Sequence, residues 1–290
     1  MKVLILGASG MLGHKMTQRL DQRFEVWGTV RGEAKKARDF KALASANLIG
    51  GVSATELGSV SKALEQVQPQ VVVNCVGIVK QLEQAYDPVA CITINSLFPH
   101  QLAGLCKKQG IRLLHISTDC VFSGNKGPYR ESDNPDPTDL YGRSKLLGEV
   151  EGPGCLTIRT SIIGRQLQHG KSLIEWFLSE KGRTVQGYAN ALYTGLTTLA
   201  MSDVVADIIE NHPQLDGIWH VSSQAISKYD LLTIVNRVYG LKITVQKDEL
   251  FQCDRRLDSS RFRQATGFSP PSWDDMISQM HADPTPYGGV

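Results

Sequence analysis

The sequence lacks any apolar run long enough to cross a bilayer. The longest, residues 71–79, is short and is broken by Asn74 and Gly77. It lacks a charge excess: 31 basic and 29 acidic residues leave a net charge of +2, and the basic residues are scattered. A nucleic-acid groove needs clustered cations, so no nucleic-acid partner is expected. None of the six cysteines forms a CxxC pair, and most lie in apolar segments, which fits reduced core thiols in a cytosolic protein. The seven histidines form no HxxxH or HxH pair, so no metal ligands are expected. The opening Met1-Lys2-Val3-Leu4-Ile5-Leu6-Gly7 has neither the apolar length nor the cleavage site of a signal peptide and reads as a buried first strand. A cytoplasmic protein without a membrane partner is the expectation.

What is present is alternation. Apolar residues make up 41% of 290 positions, enough for a sizeable core. Strand-like runs at 3–6, 25–30, 47–49, 71–74, 112–117 and 155–159 alternate with helical stretches ending at Leu20 and covering 34–44, 57–67, 88–110 (bent near Pro99) and 139–150. Strands separated by helices imply right-handed crossovers, hence an α/β fold with a doubly wound parallel sheet, the Rossmann fold. Beyond Arg165 the alternation weakens. Residues 172–180, 197–211 and 227–239 read as helices, and 217–221 and 242–246 as strands. The expected organisation is a nucleotide-binding domain over 1–165, elements around 195–221 returning to it, and a small C-terminal substrate-binding lobe from 166–194 and 222–290. The loop at 124–137 is long enough to suggest a functional role. The tail 281–290, with its prolines and glycines, reads as loose.

Gly7-Ala8-Ser9-Gly10-Met11-Leu12-Gly13 follows the first strand and opens a helix. Glycines there let the backbone turn tightly against a pyrophosphate, and the helix start offers unpaired N–H groups. The spacing is GxxGxxG, not the commoner GxGxxG. The second strand ends Thr29-Val30-Arg31 with no carboxylate to hold a ribose 2′-hydroxyl. Arg31, with Lys35 and Lys36 nearby, suits a 2′-phosphate, which favours NADP(H) over NAD(H).

Tyr141 and Lys145 form a YxxxK pair, and residues four apart share a helix face. An ammonium beside the phenol would lower its pKa and make Tyr141 a usable proton donor. The fifth strand ends in Ser117-Thr118-Asp119, where ligands of doubly wound sheets bind. Either hydroxyl could hold a substrate carbonyl. Thr118 is preferred, because Ser117 faces the opposite way on a regular strand.

Glycine turn, strand-end threonine and YxxxK, in this order and spacing, resemble the extended short-chain dehydrogenase/reductase family. Within it, Ser117-Thr118-Asp119-Cys120-Val121-Phe122-Ser123-Gly124, Pro128-Tyr129-Arg130-Glu131, Tyr141-Gly142-Arg143-Ser144-Lys145 with Gly148-Glu149, Arg159-Thr160-Ser161 and Arg256-Leu257-Asp258 resemble the dTDP-4-dehydrorhamnose reductase group. The resemblance covers nearly the whole chain. It implies catalytic Thr118, Tyr141 and Lys145, with NADPH passing hydride to C4 of a nucleotide-linked 4-keto-6-deoxy sugar. It implies a cofactor site of Gly7, Ser9, Gly10, Met11, Leu12, Gly13, Arg31, Cys75, Val76, Gly77, Asn95, Tyr141 and Lys145, with Ser161 and Ile162 near the carboxamide. The substrate would enter between sheet and lobe against Val79, Asp119, Cys120, Tyr188, Asn190, Thr194 and Arg256, with Arg256 or Arg255 pairing with the diphosphate.

The sequence departs from that pattern in places. Cys120 stands where an aromatic residue is usual, which alters the pocket wall. Lys15 replaces a glutamate that in some members holds a dimer-linking magnesium, so the chain is expected to be a monomer or a metal-free homodimer. Cys120 after Thr118-Asp119 disfavours a 4,6-dehydratase, which would carry glutamate there. Two other readings stay open: a nucleotide-sugar epimerase with tightly bound NAD, and a non-catalytic dinucleotide-binding regulatory subunit.

Overall fold

The computed structural model describes residues 1–80, 83–168, 170 and 172–287. In chain order its strands are β1 (Lys2–Leu6), β2 (Glu25–Thr29), β3 (Asn47–Ile49), β4 (Val71–Asn74), β5 (Arg112–Ile116), β6 (Cys155–Arg159), β7 (Ile162–Ile163), β8 (Thr184–Tyr193), β9 (Leu196–Thr197), β10 (Gly217–His220), β11 (Ile226–Ser227) and β12 (Thr244–Asp254). The helices are α1 (Met11–Leu20), α2 (Ala34–Ala37), α3 (Leu57–Val67), α4 (Pro88–Cys91), α5 (Phe98–Gln109), α6 (Leu140–Leu147), α7 (Leu173–Ser179), α8 (Thr198–Asn211), α9 (Lys228–Tyr239), α10 (Ser260–Thr266) and α11 (Trp273–Ala282).

Seven parallel strands form the main sheet in the order β10-β6-β5-β4-β1-β2-β3. Its central strands are apolar on both faces, as strands covered by helices on both sides must be. Along β1, Val3 and Ile5 enter the core shared with Leu12, Met16 and Leu20 of α1 and with the apolar face of α8. Leu4 and Leu6 enter the opposite core, with Val60 and Leu64 of α3 and Phe98 and Leu102 of α5. One alternating strand thus builds two cores. The outer edge strand, β10, comes from late in the chain and pairs with β6 from Gly217↔Leu156 to His220↔Arg159.

The lobe is a three-stranded sheet, β11-β8-β12, with α9 against β8. β8 and β12 run parallel, with a register shift between Asp248 and Gln252. The loop at 124–137 is sewn to the chain after β12. Asp254 N donates to Gly124 O (2.7 Å), Tyr129 N to Arg256 O (2.7 Å), and Asp258 N to Tyr129 O (2.7 Å). Inside it, the Tyr129 hydroxyl accepts from Gly124 N and Lys126 N, and its ring stacks on Phe122 at 4.2 Å.

Four expectations change. The helix expected over 34–44 is one turn of α2 followed by a 3₁₀ turn at Lys41–Leu43. Phe40 is extended between them, and the turn delivers Ala42 and Leu43 to the core. The helix over 88–110 is irregular before Pro99, as a π-helical stretch at Ile92–Leu97. Pro99 has no N–H for the Asn95 carbonyl, and a widened turn accommodates that. Pro88–Gln109 is long and apolar enough to cross a membrane by length and composition alone, yet Phe98, Leu102 and Cys106 face the core. The strand expected at 242–246 is the eleven-residue β12, and the sequence signal for β8, α10 and α11 went unread.

The tail is the fourth. Far from loose, residues 283–287 pack on α1. Lys15, 2% exposed, pairs with Asp283 at 2.5 Å and donates to Thr285 Oγ1 at 2.6 Å. The Tyr287 hydroxyl bonds Asp283 (3.0 Å) and His14 (3.1 Å), and its ring lies under the Arg165 guanidinium at 4.6 Å. The last three residues lie outside the described ones.

Candidate active site

The glycine turn joins β1 to α1 beside the end of β2: Ala8 N donates to Thr29 O and Gly7 N to Thr29 Oγ1. Gly7 has φ +84°, in the left-handed region glycine tolerates. A Cβ on Gly13 would strike the Gly7 carbonyl, so α1 can start this close to β1 only with glycine there. Gly10 caps α1 with no side-chain hydrogen bond, and the first turn carries no acidic residue, which leaves its N–H groups to an anion. Ser9 and Gly10 are exposed and Met11 partly so, while Leu12 is buried in the core. Arg31 is exposed just beyond β2. This cradle fits the diphosphate of a dinucleotide.

The next strand end, after β4, supplies Cys75, Val76 and Gly77. Asn74 fixes their path: its Oδ1 accepts from Val76 N at 3.1 Å, and its Nδ2 meets His115 Nδ1 at 3.0 Å. Asn95 is a strut. Its Oδ1 accepts from Ile78 N (2.8 Å), and its Nδ2 donates to Ile78 O (3.1 Å) and Ser144 Oγ (3.2 Å), tying the loop after β4 to α6. Lys80 extends the tie by pairing at 2.6 Å with Asp139, the N-cap of α6.

α6 presents Tyr141 and Lys145 on one face. A Cβ on Gly142 would meet the Cys120 carbonyl oxygen, so glycine lets α6 close onto the end of β5. That brings Tyr141 to the end of β5, near enough to Thr118 for its hydroxyl to favour the phenolate. Thr118 Oγ1 accepts from Cys120 N (3.1 Å) and donates to Asp119 Oδ1 (3.2 Å). Ser117 points away and donates to Glu149 Oε1 at 2.7 Å. Lys145 donates to Ile116 O at 2.8 Å.

The expectation that Lys145 lowers the phenol's pKa is not met. Burial, with Cys120 alongside, pushes the Tyr141 phenol up, outweighing the contribution of Thr118. Lys145 itself is pushed down to about 8 by burial, opposed by the Glu149 and Cys75 charges. Burial is the stronger effect on both because the charged form of each group loses hydration in the fold. Cys120 is pushed up to about 12, first by burial and then by Asp119, so it is a thiol at neutral pH. Asp119 is raised by burial, with Arg255 and Lys228 pulling it back.

Of the residues expected against the substrate, Asp119 and Cys120 adjoin Thr118 and Tyr141. Val79 is exposed at 41% on the loop after β4. Tyr188 and Asn190 contact the irregular part of β12: the Tyr188 ring lies 4.8 Å from that of Phe251, and Asn190 donates to Glu249 O. Thr194 is buried, its hydroxyl accepting from Leu257 N. The Arg256 guanidinium is taken up by Asp254 in two bonds of 2.8 and 2.6 Å. Arg255 is the arginine turned toward the catalytic strand end, where it reaches Cys120 Sγ at 3.7 Å.

Sequence reading quoted Glu149 and Arg159 without foreseeing their pairing, and it passed over Lys228 and Tyr193. Glu149 and Arg159, each with a side chain only 4% exposed, form a bidentate pair that joins α6, β6 and Ser117. Lys228 and Tyr193 approach the site from the lobe. Nothing in their local sequence marks them. Among the described residues, no three His, Cys, Asp or Glu side chains are grouped to hold a metal.

A glycine cradle at the first crossover and a Thr–Tyr–Lys constellation at the fifth strand end define an oxidoreductase of the extended short-chain dehydrogenase/reductase class. The chain belongs to the RmlD substrate binding domain family, whose model matches residues 1–285. A dTDP-4-dehydrorhamnose reductase of Streptomyces griseus is 35% identical over half of this chain and 43% of its own length. Another, from Aggregatibacter actinomycetemcomitans, is 24% identical over 97% of this chain and 98% of its own. The crystal structure of dTDP-4-dehydrorhamnose reductase from Bacillus anthracis in complex with NADP superposes with a TM-score of 0.80 at 18% identity, covering 97% of this chain and 98% of that one.

Proposed function

We propose that the protein reduces the 4-keto group of a nucleotide-linked 6-deoxy sugar with NADPH, as a dTDP-4-dehydrorhamnose reductase does. The carrying observation is the convergence of Thr118, Tyr141 and Lys145 at the end of β5, where Gly142 lets α6 pack on the Cys120 carbonyl and Lys145 donates to Ile116 O. Gly7, Ser9, Gly10, Met11 and Gly13 would hold the cofactor diphosphate. Arg31 would take the 2′-phosphate, and Cys75, Val76, Gly77 and Lys145 would line the nicotinamide end. The bound nicotinamide would supply hydride to C4. Thr118 would hold the carbonyl oxygen. Tyr141, which burial keeps protonated through the neutral range, would give its proton to that oxygen as it becomes an alkoxide. Among the substrate-facing residues, Asp119 and Cys120 would meet the sugar ring.

Incubation with NADPH or NADH and a panel of nucleotide-linked 4-keto-6-deoxyhexoses tests this at the nicotinamide absorbance band. Oxidation should occur with at least one sugar and be faster with NADPH. Tyr141→Phe should lower kcat about 100- to 10,000-fold while leaving NADPH affinity nearly unchanged. A loss below tenfold, or no oxidation with any of the sugars, would refute the proposal.

A further inference from the structure

The tail that packs on α1 reaches the glycine cradle through one side chain. His14 lies on α1, four residues after Gly10, and is fully buried. Its Nδ1 sits 2.9 Å from the Gly10 carbonyl oxygen, and its Nε2 sits 3.1 Å from the Tyr287 hydroxyl. Burial pushes the imidazole down to about 4, so the ring is neutral at neutral pH. A neutral ring carries one N–H. The Gly10 carbonyl can only accept, so that proton belongs on Nδ1, and Nε2 is left as an acceptor for the Tyr287 O–H. The hydroxyl shares its proton between Nε2 and Asp283 Oδ2 at 3.0 Å, where Lys15 already offsets the carboxylate charge.

Gly10 is the N-cap of α1, where the chain enters the helix. Its carbonyl and the Met11 N–H belong to one planar peptide unit. That N–H has no partner within the helix and is one of the donors the cradle offers to an anion. Holding the carbonyl therefore sets the direction of the donor on the opposite side of the same peptide. The Gly10 oxygen is held twice, by His14 Nδ1 and by the His14 backbone N at 3.1 Å. The tail does not need the His14 contact to stay docked. The Lys15–Asp283 pair holds it independently, as does the Arg165 guanidinium over the Tyr287 ring, which packs on the cluster containing Ala8, Val30 and Leu167.

Resting on the reading of the glycine turn as a dinucleotide cradle, we propose that Tyr287 and His14 are positioning residues for the cofactor diphosphate. The docked tail fixes the His14 ring, the ring fixes the Gly10–Met11 peptide, and that peptide meets the phosphates with its N–H already aimed. A donor fixed before the ligand arrives gives up little freedom on binding, so the fixing appears as affinity. The two side chains act in series, because the Tyr287 hydroxyl reaches Gly10 only through His14. Without that hydroxyl, Nε2 is a buried acceptor with no donor, and the ring is no longer held from the tail side.

Titration of the full chain with NADPH, followed by nicotinamide fluorescence, tests this without turnover. Tyr287→Phe keeps the ring on Arg165 and the Lys15–Asp283 pair, so it should melt near the wild type yet bind NADPH about threefold more weakly. His14→Leu should weaken binding about three- to tenfold. His14→Asn, whose amide N–H can stand in for Nδ1–H, should restore most of that loss. The double variant Tyr287→Phe/His14→Leu should bind no more weakly than His14→Leu, since the hydroxyl acts through the ring. Two unrelated packing defects would instead multiply their losses. The proposal is overturned if Tyr287→Phe or His14→Leu binds NADPH as tightly as the wild type, if their losses multiply, or if His14→Asn binds as weakly as His14→Leu. Each of these leaves the cradle reading standing, because the wild type still binds. A wild type that binds no NADPH removes the cradle reading and the proposal together.

Discussion

At the scale of single residues, the site works against the tendency of buried charges to neutralise. Lys145 is pushed down to about 8, and the Glu149 charge keeps it from falling further. Glu149 can do this because Arg159 holds it in place on the other side. If kcat/KM depends on the Lys145 ammonium, it should be flat below pH 8 and fall as pH rises through about 8, approaching tenfold per unit. Lys145→Arg, which keeps its charge throughout, should lack that fall whatever its overall rate. A wild-type profile flat to pH 10 would show that the ammonium is not needed. The same residue bears on stability. Its folded pKa lies below the usual 10.5, so between about 8 and 10.5 the unfolded chain binds more protons than the folded one. Stability from this group therefore rises with pH across that window, and Lys145→Met should flatten that part of the urea-midpoint profile.

At the scale of elements, the strap of residues 283–287 on α1 is the part of the fold the sequence concealed best. The prolines and glycines of the tail 281–290 read as loose, and what fixes residues 283–287 is a lysine near the other end of the chain. Lys15 is buried with Asp283, Gln18 and Thr285 as partners. Burial lowers its pKa, and Asp283 opposes the shift. Asp283→Asn would leave that ammonium buried without a countercharge, and breaking such a pair destabilises by about 3 kcal/mol. Replacing both partners by Lys15→Met and Asp283→Leu should recover most of the loss. Denaturant unfolding of the three variants measures it. A loss under about 0.5 kcal/mol for Asp283→Asn would mean that the strap does not hold α1. By contrast, the glycine turn and the YxxxK helix were legible because their chemistry demands a fixed local spacing. Gly7, Gly10 and Gly13 must sit three apart to start a helix under a phosphate. Tyr141 and Lys145 must sit four apart to share a face. Lys228 and Tyr193 carry no such signature, since only the tertiary fold brings them together.

At the scale of the whole molecule, the alternation of strands and helices revealed the parallel sheet through β6, and the weaker pattern beyond it pointed to returning elements around 195–221 without saying which edge or face they take. β10 closes the edge against β6, and α8 covers the face of β1 that α1 shares. Arg19–Asp203 and Arg23–Glu210 pairs fasten α8 to α1 and to the turn that follows it. An isolated fragment of residues 1–165 would keep every residue of the glycine cradle and the Thr118–Tyr141–Lys145 constellation. It would lose the strand beside β6 and the helix that buries Leu12, Met16 and Leu20. Exposing three such side chains forfeits about 1.5–3 kcal/mol each, and an unpaired β6 presents an open sheet edge. Against a folding free energy of about 5–15 kcal/mol, that loss is large enough to unfold the fragment. Expressed alone, it should elute as an expanded or aggregated species, give weak near-ultraviolet dichroism and bind no NADPH. Adding back residues 195–225 as a peptide should fail to restore it, because β10 and α8 must be positioned by the lobe segments that flank them. A fragment that is compact and binds NADPH as tightly as the full chain would show that the cradle folds independently. The later strand and helix would then be additions to a finished domain, not part of what makes it fold.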